Sequence, residues 1–87
     1  MEHKILLVDD DRDLLEMLCS IFRRAGYTEL VTASSGQEAL QVWREQQPTL
    51  IVLDVMMPGM DGFAVLREIR RTSHVPVLML TARGEAE

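Results

Sequence analysis

Three stretches of this chain are apolar without a break: Ile5-Leu6-Leu7-Val8, Leu50-Ile51-Val52-Leu53 and Val77-Leu78-Met79-Leu80. A strand wetted on one side alternates apolar and polar residues. An unbroken run suits a strand buried on both faces, as in a parallel sheet covered on two sides. A weaker stretch, Leu30-Val31-Thr32-Ala33, fits an edge strand. Parallel neighbours need long crossovers, and the intervening segments supply them. Leu14, Leu18, Ile21, Phe22 and Ala25 recur by fours and threes, which predicts a helix from about Asp11 to Ala25. Acids open it, Arg23-Arg24 close it, and Gly26 stops it. Ser35-Gly36-Gln37-Glu38 reads as a capping box before a second helix that buries Ala39, Leu40 and Trp43. Asp61-Gly62 opens a third, with Phe63, Leu66 and Ile69 inside.

The order is βαβαβαβ. With right-handed crossovers it predicts an α/β fold, a flavodoxin-like, doubly wound parallel sheet of order 2-1-3-4 that lacks a fifth strand and final helices. At 87 residues the chain is one domain at most. The formal net charge of −5 argues against direct contact with nucleic acid or an anionic membrane. No apolar run approaches the roughly 18–20 residues of a membrane span, and none has the form of a signal peptide. A single cysteine, Cys19, forms no internal disulfide and points to a reducing, cytoplasmic setting.

Ligands of open α/β sheets bind beyond the carboxyl ends of the strands. Asp9, Asp10 and Asp11 follow the first strand, Asp54 the third, Thr81 the fourth. Strands one and three are neighbours about 4.8 Å apart in this order, so the acids converge. Carboxylates crowded in one pocket repel; a hard divalent cation relieves that, and Mg²⁺ suits carboxylates, a backbone carbonyl and water. A carboxylate beside Mg²⁺ is competent to attack phosphorus. A threonine hydroxyl and the backbone N–H groups after Asp54 suit phosphoryl oxygens.

These three segments, Ile5 to Asp11, Leu53 to Gly62 and Pro76 to Ala82, resemble the receiver domain of bacterial two-component response regulators, in order and spacing along the whole chain. The resemblance implies that Asp54 accepts a phosphoryl group from a sensor histidine kinase. It implies that Asp10 binds Mg²⁺ directly and Asp9 through water, with the Met56 carbonyl as backbone ligand. Thr81 matches the switch hydroxyl, and Ala82 the small residue that leaves room for the phosphoryl group. Pro58 and Gly62 shape the loop. Such a domain is a switch rather than a turnover enzyme. The tail after Leu80 resembles regulators with a winged-helix output domain that controls transcription.

The family pattern continues with a helix, a lysine-bearing fifth strand, a switch aromatic and a last helix, so the chain is expected to be about the first two-thirds of a receiver domain. Its only lysine, Lys4, sits roughly 13–16 Å from the acids, at the other end of strand one. Such a chain is expected not to switch. Strand four is expected to be an open apolar edge, and the sheet face beside helix one to be bare at Ile5, Leu7, Ile51 and Leu53, favouring a homodimer or larger oligomer. Two other readings stand beside the switch: a haloacid-dehalogenase-type phosphohydrolase using Asp9 and Asp11, which leaves Asp54 unexplained and has Asp13 against it, and a switch-dead oligomeric scaffold. Asp61 reads as a helix cap. Met56, Met57 and Met60 read as loop packing, Trp43 as cover, Cys19 as a packed small residue. His3 and His74 lie away from the acids.

Overall fold

The structure, a computed structural model, describes residues 3–80. Seven elements follow one another: β1 (Lys4–Val8), α1 (Arg12–Arg24), β2 (Glu29–Ala33), α2 (Gly36–Gln46), β3 (Leu50–Asp54), α3 (Gly62–Arg70) and β4 (Val77–Leu80). The strands form one parallel sheet in the order β2-β1-β3-β4. The expected α/β, flavodoxin-like arrangement is the one observed.

The register sorts side chains onto two faces. Leu6, Val8, Ile51 and Leu53 point to the side covered by α2 and α3, where they pack with Ala39, Leu40, Val65 and Ile69. Ile5, Leu7 and Val52 point to the side covered by α1, where Leu15 meets them with Leu18, Cys19 and Phe22. Deep burial of these strands on both sides is the source of their unbroken apolar runs.

Several sequence expectations need correction. The inner stripe of α1 is Leu15, Leu18, Cys19 and Phe22; Leu15 is its one buried residue, and Ile21 is exposed. Residues 15, 18, 19 and 22 share one helical face, and Ile21 lies off it. In α3 the stripe is Gly62, Val65 and Ile69, and Phe63 is 54% exposed, about 100° round the helix from Gly62. The sheet face beside α1 is not bare where expected. Ile51 and Leu53 lie on the opposite face, beneath α2 and α3, and Ile5 and Leu7 are buried by α1. Exposure concentrates at Leu78 of β4, at 52%.

The capping of α2 is also shifted. The Ser35 hydroxyl accepts from the Glu38 N–H as expected, but the Glu38 carboxylate accepts from the N–H and hydroxyl of Ser34, one residue early. α1 ends as expected: Gly26 takes φ +103°, and Tyr27 N–H donates to the Phe22 carbonyl. α2 ends without that help. Gln47 itself adopts the left-handed conformation, φ 50°, to donate its N–H to Trp43.

Candidate functional site

β1 and β3 run side by side, with Val8 opposite Leu53. The next residue of each chain segment, Asp9 and Asp54, therefore emerges at the same end of the sheet. Asp9 is 2% and Asp54 6% exposed, while Asp10 is exposed at the rim. One carboxylate oxygen from each of the three lies within 4.8 Å of the others. They line an open cleft of about 450 Å³, with Asp11, Leu14, Met56 and Leu80 completing its wall.

The same local geometry holds both buried acids. Asp9 Oδ1 accepts the N–H of Asp11 at 2.9 Å, and Asp54 Oδ1 accepts the N–H of Met56 at 3.3 Å. Each aspartate bonds the backbone two residues on, as the residue type favours where a strand turns. Burial pushes both carboxyls above their ordinary range. The backbone donors oppose this, and neighbouring negative charge adds to it: Asp54, Asp10 and Asp11 for Asp9, and Asp10 for Asp54. Two buried acids with a third at the mouth form a hard-oxygen donor set short of positive charge, and that is the chemistry a divalent cation satisfies.

Asp11 is drawn elsewhere. Its carboxylate caps α1, accepting from Asp13 and Leu14 N–H groups at 3.0 and 3.3 Å. Asp61 caps α3 through the Ala64 N–H, as expected. Of the loop methionines, Met57 is buried and Met60 packs on the core, but Met56 stands 54% exposed at the cleft. Lys4 lies at the far end of β1, where its Nζ donates to Gln46. His3 and His74 are exposed and outside the cleft. Thr81 and Ala82 lie outside the described residues; Leu80, just before them, is the register partner of Asp54.

Leu14 and Leu80 were not anticipated as cleft lining. Their signal was positional: Leu14 begins the helix after the acids, and Leu80 ends the strand beside Asp54. A larger cleft, about 580 Å³, lies between α1 and β2. Its charged walls, Arg12, Glu16, Arg23 and Glu38, alternate in sign and converge on no common ligand, so size alone does not locate the site.

The family model for the response regulator receiver domain matches residues 5–87. A probable transcriptional regulator, ycf27, of Pyropia yezoensis is 50% identical over 84 residues, covering 97% of this chain and 34% of that protein. A transcriptional regulatory protein CpxR homolog of Haemophilus influenzae is 51% identical over 82 residues, covering 94% of this chain and 35% of that protein. The chain thus spans about a third of the length of these relatives. Among solved structures, the N-terminal domain of a response regulator receiver protein from Methanoculleus marisnigri JR1 superposes with a TM-score of 0.88 at 37% identity, covering 97% of this chain and 70% of that one.

Proposed function

The chain belongs to the response regulator receiver family, and on that premise we propose that it carries the acceptor site of a phosphorylation switch, in which Asp54 accepts a phosphoryl group from the phosphohistidine of a sensor kinase. The observation that carries this reading is the convergence of Asp9, Asp10 and Asp54, with oxygens within 4.8 Å, at the carboxyl ends of adjacent parallel strands.

An oxygen of Asp54 attacks phosphorus in line, the P–N bond to the donor imidazole breaks, and the imidazole leaves with the bonding pair. Bound Mg²⁺ supplies charge neutralisation for the acids and the phosphoryl oxygens. Asp10, at the rim, Asp54 and Asp9, the last already bonded to the Asp11 N–H, would hold the ion, and Met56 would contribute its carbonyl. The Met56 N–H, which donates to Asp54 in this structure, orients the nucleophile. Thr81 and Ala82 follow the strand end opposite Asp54; the hydroxyl binds a phosphoryl oxygen and the small residue leaves it space. The reading puts the protein in the cytoplasm, acting on transcription through an output domain; its relatives are named transcriptional regulators. Among the described residues no helix is long and apolar enough to cross a membrane.

A second copy of the chain is a further proposed partner. Among the described residues β4 pairs only with β3, and its exposed Leu78 offers an apolar edge.

The test of the switch is chemical. Incubation with Mg²⁺ and acetyl phosphate, followed by mass spectrometry, is expected to place the label on Asp54. An Asp54→Ala protein that labels as well as wild type overturns the reading. A label on Asp9 instead favours a phosphohydrolase, a role against which the commitment of Asp11 to the α1 cap already counts.

A further inference from the structure

The loop of residues 55–61 is bordered by two glycines, and at each a side chain does not fit. Gly62 belongs to the loop's own base. Its N–H donates to the Val55 carbonyl at 3.0 Å, and a Cβ there would stand against the Asp54 carbonyl and 2.8 Å from the Val55 Cα. Gly36 is different, because it comes from another element. It is the first residue of α2 and is buried. A Cβ on residue 36 would lie 2.8 Å from the Met60 carbonyl oxygen and 2.9 Å from both its Cβ and Cγ. Carbon atoms in ordinary contact stand about 3.5–4.0 Å apart, so this approach is short by about 0.6 Å.

Neither side yields freely. The start of α2 is pinned by Ser35 to the Glu38 N–H and by the Glu38 carboxylate to Ser34. Met60 packs on the core under α2 and α3, and a backbone carbonyl cannot swing aside as a side-chain end does. We propose that Gly36 is a positioning residue for the loop: its bare Cα sets how closely residues 55–61 are drawn to α2, and so where Met56 stands at the rim of the acidic cleft. The consequence for metal binding rests on the function proposed above; the consequence for loop position does not.

The test compares backbone amide spectra of the wild-type chain and Gly36→Ala, first without metal and then through a MgCl₂ titration. Without metal, shift changes are expected to run through residues 55–61 as well as through the first turn of α2. With metal, the apparent Mg²⁺ dissociation constant is expected to rise at least threefold. Gln37→Ala, at the exposed neighbouring position, is expected to move neither. Changes confined to residues 33–40, or a Mg²⁺ affinity within twofold of wild type, overturn the proposal. A wild-type chain that takes up no Mg²⁺ removes the metal reading, and the metal-free shifts still decide for or against Gly36. If Gly36→Ala does not fold, Gly36→Ala/Met60→Gly removes two of the three clashing atoms and is expected to restore folding. A double variant no more stable than Gly36→Ala places the cost within α2 and overturns the proposal.

Discussion

Asp9 and Asp54 stand at the ends of two hydrogen-bonded parallel strands, each almost fully buried and each bonded through Oδ1 to the backbone N–H two residues on. Burial first, and neighbouring negative charge after it, raise both carboxyls above their ordinary range. A carboxyl whose pKa is higher in the folded than in the unfolded state binds protons more readily when folded. Its contribution to stability is therefore lost as pH rises from the unfolded value to the folded one, and stays lost above it. Without divalent metal, Asp54→Asn and Asp9→Asn are expected to stabilise the fold at neutral pH. The advantage should shrink as pH falls through the raised pKa toward the ordinary aspartate value of 3.8. Urea titrations at several pH values check this; an advantage independent of pH contradicts it.

Metal should act in the opposite sense. A ligand that binds only the folded state stabilises by RT ln(1 + [L]/Kd), about 1.4 kcal/mol at ten times Kd. Adding Mg²⁺ at neutral pH is expected to raise the melting temperature of the wild type. Asp10→Asn and Asp54→Asn, each lacking one of the convergent carboxylates, should lose most of that gain. Differential scanning fluorimetry with and without MgCl₂ measures it, with NaCl matched for ionic strength.

The helix caps make separate contributions. Asp61 accepts the Ala64 N–H at 2.9 Å, and Asp11 those of Asp13 and Leu14. Replacing either by alanine is expected to cost about 1 kcal/mol in denaturant unfolding. Asp11→Ala is expected to keep phosphorylation by a small donor, because its carboxylate is spent on the helix rather than among the three convergent carboxylates.

Gln47 ends α2 at φ 50°. The left-handed conformation strains a residue with a Cβ by roughly 1–2 kcal/mol, part of which glycine's greater unfolded-state entropy offsets. Gln47→Gly is therefore expected to stabilise the chain by about 0.5–1 kcal/mol, while Gln47→Val destabilises it. Chemical denaturation of the pair gives the sign directly.

Leu78 lies on the α1 side of the sheet at 52% exposure, on a strand paired on one side only among the described residues. Leu78→Lys is expected to weaken self-association at micromolar concentration, with little loss of stability, since charge on an edge strand disfavours pairing with another chain. Sedimentation velocity decides it. A wild type that is already monomeric at those concentrations contradicts the second-copy proposal.

The sheet was legible because β1 and β3 are buried on both faces and carry unbroken apolar runs, which β4 repeats although it is only partly buried; the acidic cleft was legible because its members follow β1 and β3 directly. Less legible were the faces of the helices. α1 offers leucines at 14, 15 and 18, and only the register of the sheet beneath selects Leu15 for burial and leaves Ile21 out. Phe63 was misread for a related reason: it opens α3 beside Gly62, and the glycine, pressed on the strand end, takes the inner position. Gln47 carries no turn signal of its own; its left-handed conformation is the one that lets its N–H close the end of α2 on the Trp43 carbonyl.

The strand order has a bearing on how the molecule is made. β2 pairs with β1, β3 pairs with β1 on its other side, and β4 pairs with β3. Each strand therefore meets a neighbour that has already been synthesised, and none has to be inserted between two others. A chain leaving the ribosome from its N-terminus builds this sheet by accretion. Because β1 is the template for two partners, the first eight residues must remain available until β3 has emerged. A nascent chain stalled between β2 and β3 would display one side of β1 unpaired, and that interval is the one in which chaperone contact has most to protect.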